Sequence, residues 1–97
     1  MTSARPQAIG AIQIDDARVR VTEWRFAPGA ETGRHVHEMD YVVVPLTSGA
    51  LTIEWPDGSV TRPQLAAGVS YARPAGVDHN VINDNPFDFA FIEIELK

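Results

Sequence analysis

The chain has 97 residues, 44% of them hydrophobic, which suits one domain with a core of its own. The absence of cysteine excludes a disulfide framework, thiolate chemistry and zinc-finger sites, and is compatible with a reducing cytosol. A formal charge of −5, with eight scattered basic residues, argues against a nucleic-acid partner, which would need a clustered positive footprint.

In chain order, Met1 to Gln7 shows no apolar run after its charge. No secretory signal is expected there, and residues 1–7 are expected to be loose. Ala8 to Ile14 is a short apolar run ending at the turn pair Asp15-Asp16. Val19 to Phe26 is β-branched and aromatic, and stops at Pro28-Gly29. Tyr41 to Leu46 and Ala50 to Trp55 read as strands. Pro56-Asp57-Gly58 then makes a tight reversal, with Ser59 to Leu65 returning as partner. Ser70 to Arg73 is short, Asn80 to Asn83 is a further candidate, and Phe87 to Leu96 is the longest. No window carries a capped helical stripe, and no apolar stretch is long enough to span a membrane. Many short strands at roughly ten-residue spacing predict one all-β domain over residues 1–97, a sandwich or small barrel. A cytoplasmic location is expected.

The last strand has two apolar faces. Ala90, Ile92, Ile94 and Leu96 suit a barrel interior. Phe87, Phe89 and Phe91 on the other face then need a cover, and a homodimer is the expected one, since large exposed apolar patches are unusual on monomers.

The chemistry is carried by three histidines. His35-Val36-His37 is strand-like, so His35 and His37 share a face, about 7 Å apart along the backbone. His79, in Pro74-Ala75-Gly76-Val77-Asp78-His79-Asn80, falls in a second strand-like segment. An imidazole from a neighbouring strand would complete a three-nitrogen metal site.

The stretch from Gly68 to Asn83 reads Gly, five residues, Pro74, one residue, Gly76, two residues, His79, three residues, Asn83. It resembles the second motif of the cupin family, and Gly29 followed by His35 and His37 resembles the opening of the first. The resemblance covers roughly residues 20 to 97. More narrowly, the stretch from His35 to Thr47 is similar to small cupins linked with β-alanine degradation. The resemblance implies an all-β cupin double-stranded β-helix, a jelly-roll-like small barrel with a pocket inside. It also implies a divalent metal held by His35, His37 and His79. Iron(II) is ranked ahead of zinc, nickel, manganese and copper, because three-His centres in cupins often serve dioxygen chemistry.

One position departs from the family. Cupins usually place a Glu ligand four residues after the second His, where this chain has Tyr41. Strict alternation puts Tyr41 on the histidine face and points Asp40 away, whereas a bulge would re-aim Asp40 inward. Three arrangements follow: three His with open positions, three His plus Asp40, or a pocket without metal. Tyr41 and Asp40 are the candidate catalytic side chains beside the metal site. Glu38 is read as a solvated carboxylate. Arg73 is read first as a surface arginine; if inward, it would offer a fork to a substrate carboxylate. Asn80 is a candidate orienting residue for the site, Asn83 a turn residue, and Trp24 and Trp55 wall or core. The expected function is a metal-dependent enzyme acting on a small organic acid or amino-acid-derived metabolite, by dioxygenase-like or isomerase-like chemistry. The alternative is a non-catalytic small-molecule binding or sensing cupin. The expected partner is a small-molecule ligand, with neither nucleic acid nor membrane.

Overall fold

The computed structural model describes residues 5–97. The expected apolar run forms β1 (Ile9–Asp15), and the β-branched segment forms β2 (Val19–Phe26). The first histidine segment gives the two-residue β3 (His35–Val36), followed by β4 (Asp40–Pro45). Ala50 to Trp55 and its partner are each broken in two: β5 (Gly49–Ala50) and β6 (Thr52–Glu54) answer β8 (Gln64–Leu65) and β7 (Val60–Thr61). The chain closes with β9 (Tyr71–Arg73), β10 (Asp78–Ile82) and β11 (Phe89–Leu96). No helix occurs among the described residues, so none there is long and apolar enough to cross a membrane.

The strands form a five-stranded sheet in the order β1-β2-β11-β4-β9, a four-stranded sheet β3-β10-β6-β7, and the pair β5-β8. Side chains of the first two sheets meet in the interior, as in a small double-sheet barrel. Phe26, Val43, Leu51, Ile53, Phe89 and Phe91 fill that core. The Phe26 and Phe91 rings pack at 5.5 Å between centroids.

This core corrects the reading of β11. Phe89 is 1% exposed and Phe91 is 7% exposed, so the phenylalanine face is the interior one. The alternate positions Ile92 and Ile94 are only half-buried and Leu96 is exposed; they lie on the outer face. The physical reason is volume. An aromatic ring removes more apolar surface from water than an aliphatic side chain, so when both faces are apolar the rings fill the barrel. Only Phe87, ahead of the strand, stays largely exposed, at 43%. The phenylalanines are covered by the chain's own interior, and an argument for a homodimer built on them does not hold.

The N-terminal expectation is corrected in part. Residues 1–4 lie outside the described residues. Residues 5–7 are tied down: Glu31 N–H donates to the Pro6 carbonyl at 2.9 Å, the Gln7 amide to the Thr32 carbonyl at 2.9 Å, and Arg5 pairs with Asp84 at 3.3 Å. These contacts, absent from any periodicity in the sequence, hold the segment across the barrel end.

Candidate metal centre

Two short strands bring the histidines together. His79 on β10 stands directly opposite His35 on β3 in the antiparallel register. His37 lies just past β3, where its N–H donates to the Val77 carbonyl at 2.9 Å. Its own carbonyl accepts from Gly76 N–H at 2.7 Å. Gly76 adopts φ +95°, a backbone conformation that side-chain-bearing residues avoid. The Pro74–Val77 turn therefore grips His37 by its main chain while feeding His79 into β10. Outside the barrel, the Arg34 guanidinium makes a two-pronged contact with Asp78, at 3.0 and 2.8 Å. That pair staples β3 to β10 one residue from each of the facing histidines.

The resulting cluster is tight. His35 Nε2 lies 3.0 Å from His37 Nε2, which lies 3.2 Å from His79 Nε2. The ligand atoms of the three residues all fall within 4.8 Å of one another. His35 Nδ1 donates to the Gly33 carbonyl at 2.9 Å, which leaves its Nε2 lone pair aimed at the cluster. His37 Nδ1 faces Glu93 Oε1 at 3.3 Å, with the same consequence for its Nε2. Converging lone pairs repel each other unless a cation lies between them. Nitrogens about 3 Å apart suit a shared ion with bonds of about 2.0–2.1 Å. The donor set thus fits a divalent metal, and neutral imidazoles suit zinc, iron, nickel or copper.

Burial keeps two of these imidazoles, His37 and His79, neutral. Burial, reinforced by the neighbouring His35, pulls the His37 pKa down to about 4. Burial, with His35 and His37 beside it, pulls His79 to about 4 as well. Both rings are therefore unprotonated and ready to bind a cation at neutral pH.

The polar residues around the cluster sort themselves by geometry. Tyr41 is buried and its ring stacks on His37, 3.9 Å between centroids with planes 19° apart. Burial, then the nearby Glu93, raises its pKa, so the phenol keeps its proton. Asp40 is exposed and points away; its carboxylate accepts the Ala75 N–H at 2.8 Å. The pairing of β4 with β11 and β9 runs without a break in register, so no bulge re-aims Asp40, and the arrangement of three His plus Asp40 is not the one adopted. Instead Asp40 caps the turn that carries Gly76. Glu38 is exposed, at the rim of the cavity. Asn80 is buried, donating to Glu31 and Glu54 at 2.7 and 2.9 Å, and Thr32 bridges it to His35 Nδ1. Asn83 donates to the carbonyls of Phe26, Ala27 and Phe87, as a turn-tying residue does. Trp55 packs 5.7 Å from His79, as a wall residue.

Glu93 is the residue beside the cluster that sequence reasoning missed. It is buried on the interior face of β11, between His37 and the Trp24 indole, which donates to its other oxygen at 2.8 Å. Burial pushes its pKa up to about 7, against the pull of the indole N–H. Its signal in the sequence was a carboxylate in register with Phe89 and Phe91, a face read as outward. Glu93 contacts the Nδ1 of His37, the nitrogen turned away from the cluster, a position from which a carboxylate can fix tautomer and ring orientation.

A cavity of about 350 Å³ opens onto the cluster, lined by all three histidines, Tyr41, Trp24 and Glu93 among others. A second, of about 590 Å³, shares Tyr41, Ile53, Tyr71 and His79 with the first. The three histidines thus line the first hollow, and His79 also reaches the second, with room for a small ligand beside the cluster.

Comparison with known proteins agrees with this geometry. The chain is 59% identical, over 98% of its length and 99% of the relative's, to the beta-alanine degradation protein BauB of Pseudomonas aeruginosa. A crystal structure of a cupin domain from Bordetella pertussis matches with a TM-score of 0.95 at 58% identity, covering 99% of both chains. A double-stranded β-helix protein from Klebsiella pneumoniae matches at a TM-score of 0.76 and 24% identity, over 98% of this chain and 81% of that one, and shares the fold. The cupin domain family itself matches residues 22–95. With its two motifs folded around three converging imidazoles in an all-β double-sheet barrel, the chain belongs to the cupin domain family.

Proposed function

We propose that this cupin binds a divalent metal on His35, His37 and His79 and acts on a small organic acid or an amino-acid-derived metabolite. The observation that carries the reading is the convergence of three Nε2 atoms on the first cavity, with His79 also lining the second. The relative named for β-alanine degradation supports a small acid as the substrate class. A metal held there would supply a Lewis acid or an oxygen-binding centre, for isomerase-like or dioxygenase-like chemistry, with iron(II) the first candidate. The chain's own residues do the rest. Glu93 and the Gly33 carbonyl hold two of the rings in their tautomers. Tyr41 presents a protonated phenol as a hydrogen-bond donor toward both cavities. Val43, Leu51, Phe91 and Ile53 keep the walls apolar, which strengthens every charge interaction inside.

Elemental analysis of the purified, dialysed, untagged protein by plasma mass spectrometry tests the reading. Near one equivalent of a transition metal, lost in His79→Ala while the barrel stays folded, is the expected result. Full metal occupancy in His79→Ala would overturn the three-His site. Absence of metal after incubation with each ion would favour the non-catalytic binding cupin, which uses the same pocket.

A further inference from the structure

The two cavities differ in charge. The first carries Glu38, Glu93 and Glu95, and its one cation, Arg20, stands opposite Glu95 in the β2–β11 register with Asp15 at 3.5 Å. The second cavity is lined by Arg62 and Arg73 and by no carboxylate. Arg5, Arg20, Arg25, Arg34 and Lys97 all pair with carboxylates. Among the described residues, Arg18, Arg62 and Arg73 do not, and two of those three face this one hollow.

Arg73 is the better placed of the pair. It lies directly opposite Tyr41 in the antiparallel pairing of β4 with β9, and directly opposed residues share a face of the sheet. Tyr41 faces the interior and stacks on His37, so Arg73 projects from the same face. Its guanidinium carbon stands 4.9 Å over the Tyr71 ring, and one terminal nitrogen donates to the Ala72 carbonyl at 3.1 Å. These contacts orient the group while leaving N–H donors free. The cavity that Arg73 and His79 both line has mostly apolar or aromatic walls, including Ile53, Trp55 and Val77, with Thr61, Gln64 and Ser70 beside them. A planar fork and the His79 imidazole lining one largely apolar hollow match a short molecule carrying a carboxylate at one end.

We propose that the second cavity is an anion subsite in which Arg73, with Arg62 beside it, holds the carboxylate of a short-chain acid so that its other end reaches the histidine cluster. This rests on the reading of the pocket as a small-acid site and assigns the residue that selects the acid. It also assigns the acidic first cavity, with Arg20 already neutralised, to no role in holding the anion.

The test uses metal-stripped protein, so that a carboxylate cannot simply ligate an ion, with propionate and malonate titrated and followed by NMR line shifts of the protein. Propionamide serves as the uncharged control. Wild type should bind the acids and not the amide. Arg73→Gln should weaken acid binding at least tenfold, Arg73→Lys less, and Arg20→Gln should leave it unchanged. Arg62 and Arg73 are exposed, so the thermal midpoint should hold in their variants. No acid binding by wild type, binding indifferent to Arg73→Gln combined with Arg62→Gln, or loss in Arg20→Gln instead would overturn the proposal. Repeating the titration in His79→Ala separates it from the metal reading: acid binding that survives there but fails in Arg73→Gln supports the subsite even if no metal is found. A metal site confirmed in wild type, with acid binding unchanged by Arg73→Gln, refutes the subsite alone.

Discussion

The Trp24 indole donates to Glu93 at 2.8 Å, and the opposite oxygen of the same carboxylate faces His37. Trp24 and Glu93 project inward from paired strands, two residue pairs apart in the β2–β11 register and so on one face. The contact makes a three-part line of indole, carboxylate and imidazole behind the three-histidine cluster. Replacing Glu93 by Gln keeps the volume and removes the charge that steadies His37 Nδ1–H. Outer partners of this kind are worth about 10–100-fold in metal affinity. Competition against a calibrated chelator should show a loss of that order for Glu93→Gln, and a smaller one for Trp24→Phe, which keeps the carboxylate. Unchanged affinity in both variants would reduce Glu93 to a buried acid with no bearing on the site.

Gly10 governs the same line from the edge strand. It pairs with Trp24 across β1 and β2, and a Cβ built on it would lie 2.9 Å from the indole ring. Real Cβ contacts are longer, so Gly10→Val must displace the ring that holds Glu93. Overpacking of this kind costs about 1–3 kcal/mol. Urea unfolding should show that loss, and tryptophan emission in a Trp55→Phe background should shift as the indole leaves the carboxylate. A spectrum identical to the parent's would mean the ring tolerates the methyl groups in place.

Phe89 distinguishes the two readings of the last strand. Had its face been an interface between copies, Phe89→Lys would give a folded monomer. At 1% exposure it belongs to the core, where even Phe→Ala costs about 3–5 kcal/mol and a buried unpaired ammonium costs more. Phe89→Lys is therefore expected to lose cooperative thermal unfolding altogether. A well-folded, lower-mass species in light scattering would contradict the placement of that ring.

Much of this molecule was legible in the sequence. Period-two patterning located every strand, and Pro56-Asp57-Gly58 the hairpin. The Gly68-to-Asn83 spacing gave the turn in which Gly76 takes positive φ and His79 enters the barrel. Alternation alone placed Tyr41 inward and Asp40 outward. What failed was the choice between two apolar faces of β11, because alternation marks faces without saying which one is enclosed. That single choice hid Glu93. A carboxylate beside phenylalanines reads as solvated until the fold supplies Trp24 and His37 as partners, and those lie 69 and 56 residues away in sequence. The split of the fourth and fifth expected strands was likewise set by which sheet each half joins, a tertiary matter.

The ionisable groups of the site predict the pH dependence of stability once metal is removed. His37 and His79 titrate near 4 in the folded chain, whereas a free imidazole titrates at about 6.5. The stability gained by keeping them neutral is present above about pH 6.5 and is lost as pH falls toward 4, where the unfolded chain takes up protons first. Glu93 runs the other way. Its folded pKa of about 7 lies above the unfolded value, so its contribution is present below about pH 4.5 and is lost as pH rises through 7. At pH 5.5 the unfolded chain therefore holds two more protons on the imidazoles and one fewer on Glu93, a net difference of about one. Stability of the chelated protein should rise with pH across this window. In Glu93→Gln the opposing proton is gone, so the slope should roughly double. Urea midpoints measured at half-unit steps from pH 4.5 to 6.5 check this. A slope that is flat or negative in the parent, or unchanged in Glu93→Gln, would show that the buried carboxyl is ionised in the folded chain and paired with a protonated His37.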